Sequence, residues 1–127
     1  MKSKQLLRRD IKFRAKEVNT NKWVFGDLHL IANFPHIHSE YYDKHLIYPD
    51  TIRQYTGLNN KNGKEIYEGD ILKTFTGSKC EVVYHEASFK IRYNKRHESN
   101  ILTRSSVLVL DYEVIGNIYD NPELLEE

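Results

Sequence analysis

His36 and His38 are the residues whose type and spacing best fit metal binding. Two histidines separated by one residue on a strand point to the same face of a sheet. A zinc site needs three or four nitrogen, sulfur or carboxylate ligands that converge at about 2 Å from the ion. No spacing in this sequence imposes such a convergence, so surface-loop histidines without a metal are the simpler interpretation. Further potential ligands in this stretch are His29, Glu40, Asp43 and His45.

Carboxylates beside glycines offer a second kind of chemistry, general acid–base catalysis by paired acids. Asp27 and Asp70 each follow a glycine at a turn or strand entry, and Glu65 and Glu68 precede Asp70. An aspartate in such a position commonly accepts hydrogen bonds from nearby backbone N–H groups. The sequence also lacks a glycine-rich phosphate-binding motif. We therefore predict that the protein is not an enzyme and that it uses no cofactor.

Cys80 is the single cysteine, so the chain has no internal disulfide. A catalytic thiol needs a base beside it that lowers its pKa. The segment Lys79–Val82 has the composition of a strand and supplies no such base. We predict a structural thiol.

One strand carries a basic face that could contact phosphates. Phe89-Lys-Ile-Arg-Tyr93 alternates apolar and basic residues, which predicts a half-buried strand. The segment Ile11-Lys-Phe-Arg-Ala15 repeats this pattern and forms a second basic face. The net charge is only +1, so no global field attracts nucleic acid. The candidate nucleic-acid contacts are Lys90, Arg92, Lys95 and Arg96.

The chain is rich in tyrosine, with nine in 127 residues. Tyr41, Tyr42 and Tyr48 fall in an irregular region. Exposed aromatic residues on a rigid scaffold favour protein–protein contact or self-association. These three are the candidate protein contacts.

The elements that must position these residues are mostly strands. Ile11–Ala15 and Trp23–Ile31 predict an N-terminal β-hairpin, in which Gly26 indicates a bulge or a close backbone approach. Residues 33–50 contain Pro35 and Pro49 and lack a clear period. They predict a long loop with one short strand near Lys44–Tyr48.

The rest of the chain reads as short strands separated by turns about ten residues apart. Asn62-Gly63 favours a tight turn, Ile66 and Tyr67 suit a single helical turn, and Asn121-Pro122 begins a short C-terminal helix. We predict a mostly β fold, a small SH3-like barrel over residues 51–127 with the hairpin packed against it. The predicted strands are Thr51–Leu58, Ile71–Phe75, Lys79–His85, Phe89–Tyr93, Ile101–Val109 and Tyr112–Ile118.

The length predicts a single domain, residues 1–127, with a loose basic tail over residues 1–10. The longest apolar run, Val107–Leu110, is far too short to span a bilayer. The N-terminus lacks an apolar signal core. We expect an intracellular protein without membrane association.

Several motifs, in this order, resemble the YopX family of small phage and prophage proteins of bacteria. One departure is Lys16-Glu17, where the family leads us to expect a Trp-Asp pair. The resemblance implies a mostly β fold, an origin in phage or mobile DNA and location in the bacterial cytoplasm, and it implies no activity. The motifs are Ile11–Ala15, Trp23–Leu28, Gln54–Leu58, Lys61–Ile71, Val114–Tyr119 and Asn121–Leu124. Within them, the residues with structural roles are Tyr55, Gly57, Asn62, Gly63, Tyr67, Gly69 and Asp70.

Three functions remain open from the sequence. The first is a non-enzymatic accessory protein that acts through contacts with a protein partner or with itself as a homo-oligomer. The second is a nucleic-acid-binding module that uses the basic strand face. The third is an enzyme with its site at His36 and His38.

Overall fold

The computed structural model describes residues 10–39, 43–93 and 97–126, with the backbone alone at residues 97–100. The chain divides into two compact units, residues 1–57 and residues 58–127. Within the described ranges, no helix has the length and apolar character needed to cross a membrane.

The first unit is built on antiparallel strands in the order β4-β3-β2-β1-β5. The predicted N-terminal hairpin corresponds to β1 and β2, in which Ala15 lies opposite Val24. A single turn of 3₁₀ helix, Pro49–Thr51, leads into β5, which continues past the boundary between the units. The strands are β1 (Phe13–Lys16), β2 (Trp23–Ile31), β3 (Phe34–His38), β4 (Lys44–Leu46) and β5 (Arg53–Asn59).

Two hydrogen bonds join the end of β1 to the end of β4. The Val18 amide donates to the Leu46 carbonyl at 2.9 Å, and the Tyr48 amide donates to the Lys16 carbonyl at 3.0 Å. An antiparallel bridge between Glu17 and Ile47 lies between them. The sheet curves around a small core, whose members are Ala15, Ile37 and Ile47 with Phe13, Val24 and Ile52 packed against them.

The prediction of a long loop over residues 33–50 is wrong at Phe34–His38, which forms β3, whereas the predicted short strand near Lys44–Tyr48 is present as β4. Ala32 and Asn33 adopt φ angles of +51° and +70°, which is the backbone of a two-residue hairpin turn. The turn reverses the chain so that Ile37 points into the core. The sequence has no glycine at this turn, so its usual signal is missing.

Gly26 lies at a close backbone approach, as predicted. Its φ is +152°, and a Cβ atom there would overlap the carbonyl oxygen of His38. Any other residue at this position would push β2 and β3 apart.

The second unit contains an antiparallel sheet in the order β10-β9-β8-β7-β11. One helix, α1 (Arg104–Leu110), lies between β10 and β11, and a 3₁₀ turn, Pro122–Leu125, follows β11. A further strand, β6, precedes β7 in the chain. The strands are β6 (Glu65–Tyr67), β7 (Asp70–Lys73), β8 (Lys79–His85), β9 (Ser88–Tyr93), β10 (His97–Ile101) and β11 (Glu113–Asn117).

The core of the second unit draws on both the sheet and the helix. Ile66 and Leu72 are fully buried, and Val107 of α1 joins them. The other buried members are Cys80, Val82, Ile91, Leu102 and Tyr112.

The mostly β class is confirmed, but three finer predictions for the second unit differ from the structure. The sheet is open, with β10 and β11 at its edges, and does not form the predicted SH3-like barrel. Ile66 and Tyr67 lie on a strand instead of a helical turn. The C-terminal helix is a single 3₁₀ turn in which the Asn121 side chain makes no capping bond.

The predicted strand Ile101–Val109 is also wrong beyond its first residue. Thr103 and Ser106 form a capping box, in which each side chain bonds to the backbone amide of the other. This arrangement satisfies two amides that a helix start leaves without partners. The helix then buries Val107. The apolar run Val107–Leu110, which suggested a strand, therefore lies in a helix.

The long family motif forms the turns around β6. The Asn60 side chain accepts hydrogen bonds from the amides of Asn62 and Lys64. The Asp70 carboxylate is buried and accepts from the Tyr67 amide at 2.8 Å, which confirms the predicted backbone acceptor. The remaining positions are Tyr55, which is buried, and Gly57, Gly63 and Gly69, which adopt positive φ angles.

Candidate functional site

The hairpin formed by β2 and β3 exposes large apolar side chains near its turn. Leu30 is 72% exposed and Phe34 is 62% exposed, and Leu28 and Ile31 are more than one-third exposed. We call these four residues the hairpin tip. They lie on both faces of the hairpin, because neighbouring residues of a strand alternate between faces.

The strand register places three histidines on the same side of the sheet. His29 lies directly opposite His36, and His38 lies opposite Asp27 on one side and Lys44 on the other. Residues directly opposite one another in antiparallel strands share a face. We call this surface the histidine face; its members are Asp27, His29, Ile31, Phe34, His36, His38, Lys44 and Leu46.

The rings of His29 and His38 stack on each other. Their centroids are 4.0 Å apart and the planes differ by 8°. The Nε2 atom of His38 is buried and has no hydrogen-bond partner within the described residues. Burial lowers the pKa of His38, and the nearby charges of His29, Lys44 and His36 lower it further, while Asp27 raises it.

His36 makes a different contact, although it lies on the same face. Its Nδ1 atom lies 2.8 Å from the carbonyl oxygen of Phe34. A carbonyl oxygen only accepts, so Nδ1 carries the proton and Nε2 is directed away from this bond.

His45 lies on the opposite face from His36 and His38. Its Nδ1 atom is 2.7 Å from Glu17 Oε2, and its Nε2 atom is 3.2 Å from the Ser39 hydroxyl. The bond to His45, with a second from Thr20, lowers the pKa of the Glu17 carboxyl. His45 therefore ties β4 to the segment after β1 and is not part of the histidine face.

The structure does not bring the described metal candidates into a metal site, and Glu40 lies outside the described residues. Across the described ranges, no group of three or more His, Cys, Asp or Glu side chains is arranged to hold a metal ion. His36 and His38 do share a face, as the spacing predicts, but their neighbours there are another histidine, a lysine and apolar side chains.

The basic strand candidates lie beside carboxylates. Lys90 Nζ is 3.2 Å from Glu86 Oε1, and Arg92 Nη2 is 3.1 Å from Glu81 Oε1. These pairs cancel much of the positive charge that would attract phosphates. Lys95 and Arg96 lie outside the described residues, as do two of the three tyrosine candidates, Tyr41 and Tyr42.

The remaining candidate residues make contacts within the folded chain. The Tyr48 ring is 39% exposed, and its hydroxyl donates to the Val18 carbonyl at 3.2 Å. The Glu65 carboxylate accepts from the Tyr67 hydroxyl at 2.9 Å. Cys80 is fully buried, and burial raises the pKa of its thiol to about 12, so the thiol stays protonated and unreactive.

The sequence reasoning missed the hairpin tip. It placed Trp23–Ile31 in the returning strand of a hairpin and did not assign its faces. The run Leu28-His-Leu-Ile31 followed by Phe34 has apolar residues at both alternating positions. That pattern signals a strand with two apolar faces, of which only part can be covered in a small unit.

Comparison with models of known protein families identifies the family of this chain. The family model described as YopX protein matches residues 12–126. The chain belongs to the YopX family. Among curated proteins, none matches the chain.

A solved structure shows the same fold. The crystal structure of protein EF1440 from Enterococcus faecalis is 28% identical in sequence, with a TM-score of 0.61. The match covers 93% of this chain and 99% of that one.

Proposed function

We propose that this protein is a non-enzymatic accessory protein of a phage or prophage. It acts in the bacterial cytoplasm through contact between its hairpin tip and another protein chain. Membership of the YopX family supports the phage origin and thereby the cytoplasmic location. The observation that supports the contact surface is the exposure of Leu30 and Phe34 at a rigid, hydrogen-bonded hairpin.

An exposed apolar cluster is costly unless something covers it. Large contiguous apolar patches on soluble proteins commonly mark interaction sites. Protein interfaces are enriched in aromatic side chains and have a polar rim around an apolar centre. Phe34 and Ile31 of the hairpin tip lie beside the polar residues of the histidine face, and Leu28 and Leu30 lie on the opposite face of the same hairpin.

A double substitution at the hairpin tip tests this function. The variant Leu30→Ser/Phe34→Ser replaces two exposed apolar side chains with polar ones. Because neither side chain is buried, we expect the variant to fold as the wild type does. We expect the variant to lose the proteins that co-purify with the wild type from host cells, or to lose self-association in light scattering.

A matched control comes from the second unit. Leu108→Ser/Val109→Ser removes two exposed apolar side chains from α1. This control should keep the partners and the mass of the wild type. Identical partners and mass for the wild type and the hairpin variant would contradict the proposed function.

A further inference from the structure

We propose that the histidine face receives an acidic, apolar polypeptide segment of a partner protein, and that it binds this segment more tightly as pH falls. This inference rests on the proposed function, because it names the chemistry of the partner at the hairpin. Charge complementarity and the aromatic stack of the face support it.

The permanent charges of the histidine face balance, because Lys44 is a cation and Asp27 is the single carboxylate among its described members. The three imidazoles of the face therefore decide its net charge, and protonation of one of them makes the face positive. The apolar members Ile31, Phe34 and Leu46 are exposed among them. A partner that satisfies both features carries Asp or Glu side chains beside large apolar ones.

The stacked pair allows one of its rings to become charged. His29 is exposed, while His38 lies half-buried beneath it. Burial and the neighbouring basic groups keep His38 neutral near pH 7 by lowering its pKa. His38 therefore offers a neutral ring face to His29, and a neutral aromatic ring stabilises a cation stacked on it.

Two imidazoles can then bond to carboxylates of the partner. His29 is exposed, and Nε2 of His36 is the nitrogen not used by the bond to Phe34. A protonated imidazole donates a charge-assisted hydrogen bond to a carboxylate, which is stronger than a neutral one. The imidazoles thus fix the position of the acidic side chains, while the hairpin tip contacts the apolar ones.

Proton uptake on binding follows from these bonds. A nearby carboxylate favours the charged form of an imidazole, so the complex holds more protons than the free protein. The affinity therefore rises as pH falls from about 8 to about 6. The charged and titratable groups that face the stack are Asp27 and His29 on β2, His36 on β3 and Lys44 on β4, and His45 on the reverse face is bonded to Glu17.

A selection from a random peptide library against the full chain, run at about pH 6, tests the inference. We expect the selected peptides to be enriched in Asp and Glu together with Leu, Ile, Val and Phe. Their dissociation constants should increase by about fivefold or more between about pH 6 and about pH 8, a change of roughly 1 kcal/mol. Selected peptides that are basic or lack acidic residues would overturn the inference, and so would the absence of any enriched peptide.

Two variants separate this inference from the proposed function. His29→Gln/His36→Gln should reduce the pH dependence to less than about twofold, because it removes both imidazoles that bond the carboxylates. His85→Gln, an exposed histidine of the second unit, should retain the full pH dependence. An unchanged pH dependence in the double variant would overturn the inference.

The hairpin-tip variant Leu30→Ser/Phe34→Ser completes the set. If it abolishes binding of peptides that show no acidic preference, the proposed function stands and the inference fails. If it leaves peptide binding unchanged, the hairpin is not the contact surface and both fail. A labelled oligothymidine that competes with the peptides and depends on the same two histidines would assign the face to nucleic acid instead.

Discussion

Leu72 and Leu30 have the same side chain, yet Leu72 is fully buried in the second unit and Leu30 is 72% exposed at the hairpin of the first. Among the described residues, the core cluster of the second unit contains eight buried residues and that of the first contains three. Because burial of apolar surface is the main favourable contribution to folding, the second unit supplies more stability. The first unit leaves several of its apolar residues on a surface that a partner can cover.

The two basic strands, β1 and β9, differ in a similar way despite their common pattern. On β9, Lys90 and Arg92 lie beside carboxylates. On β1, Arg14 and Lys16 lie over the Trp23 ring, at 4.5 and 4.8 Å from its centroid. On β1 the cations contact the face of an aromatic ring, whereas on β9 the neighbouring carboxylates offset the positive charge of Lys90 and Arg92. The alternation of lysine and arginine therefore predicts a strand and does not predict its electrostatic surroundings.

Matched leucine substitutions test the contrast between the units most directly. Leu72→Ala should lower the free energy of unfolding by about 2–5 kcal/mol, because it leaves a cavity in a packed core. Leu30→Ala should change it by no more than about 0.5 kcal/mol, since the side chain is exposed. Urea unfolding followed by circular dichroism measures both. Similar losses for the two variants would show that the hairpin tip is covered in the folded chain.

The two aspartates that follow glycines provide a second matched pair. Asp70→Ala should cost about 1–3 kcal/mol, because the Tyr67 amide loses its acceptor in a buried position. Asp27 is exposed, so Asp27→Ala should cost no more than about 0.5 kcal/mol. The same unfolding assay applies, and an equal cost at both positions would mean that Asp27 also has a structural role.

A third pair of variants measures how much the capping box at the start of α1 contributes to the stability of the second unit. Thr103→Ala should cost about 1 kcal/mol, because the Ser106 amide loses its capping acceptor. Ser105→Ala, at an exposed position of the same helix, serves as the control and should be nearly neutral. The capping box would lose its assigned role if the two variants unfolded at the same urea concentration.

The pH dependence of stability gives the smallest effect and reports on the first unit. The pKa of His38 is lower in the folded chain than its ordinary value. The unfolded chain therefore binds more protons, and stability falls as pH drops through the ordinary histidine range, below about 6.5. His38→Gln should reduce the change in urea midpoint between about pH 7.5 and about pH 5.5.

His85→Gln serves as the control for this measurement, since His85 is an exposed histidine of the second unit. It should show the same change in midpoint as the wild type. An equal change in all three proteins would indicate that His38 contributes nothing to the pH dependence.

Part of the candidate site could be predicted from the sequence. The spacing of His36 and His38 implied a shared face if they stood on a strand; the sequence predicted a loop there, and the structure supplies the strand. The residues opposite His36 and His38 could not be predicted. The Ala32-Asn33 turn contains no glycine, so the sequence does not reveal where β2 ends and β3 begins, and the register between them cannot be derived. Without that register, the stack of His38 on His29 had no basis in the sequence.

The sequence by itself determined the mostly β class, the family and the turns around Asn60 and Asp70. These features depend on alternation and on residues within a few positions of each other, so they are local. Tertiary structure alone decided which apolar residues are buried, including Val107 of the helix that follows Thr103. Burial depends on how much surface distant segments can cover, and in the first unit the core around Ile37 and Ile47 ends before the hairpin does. The exposed tip is the physical consequence of that limit.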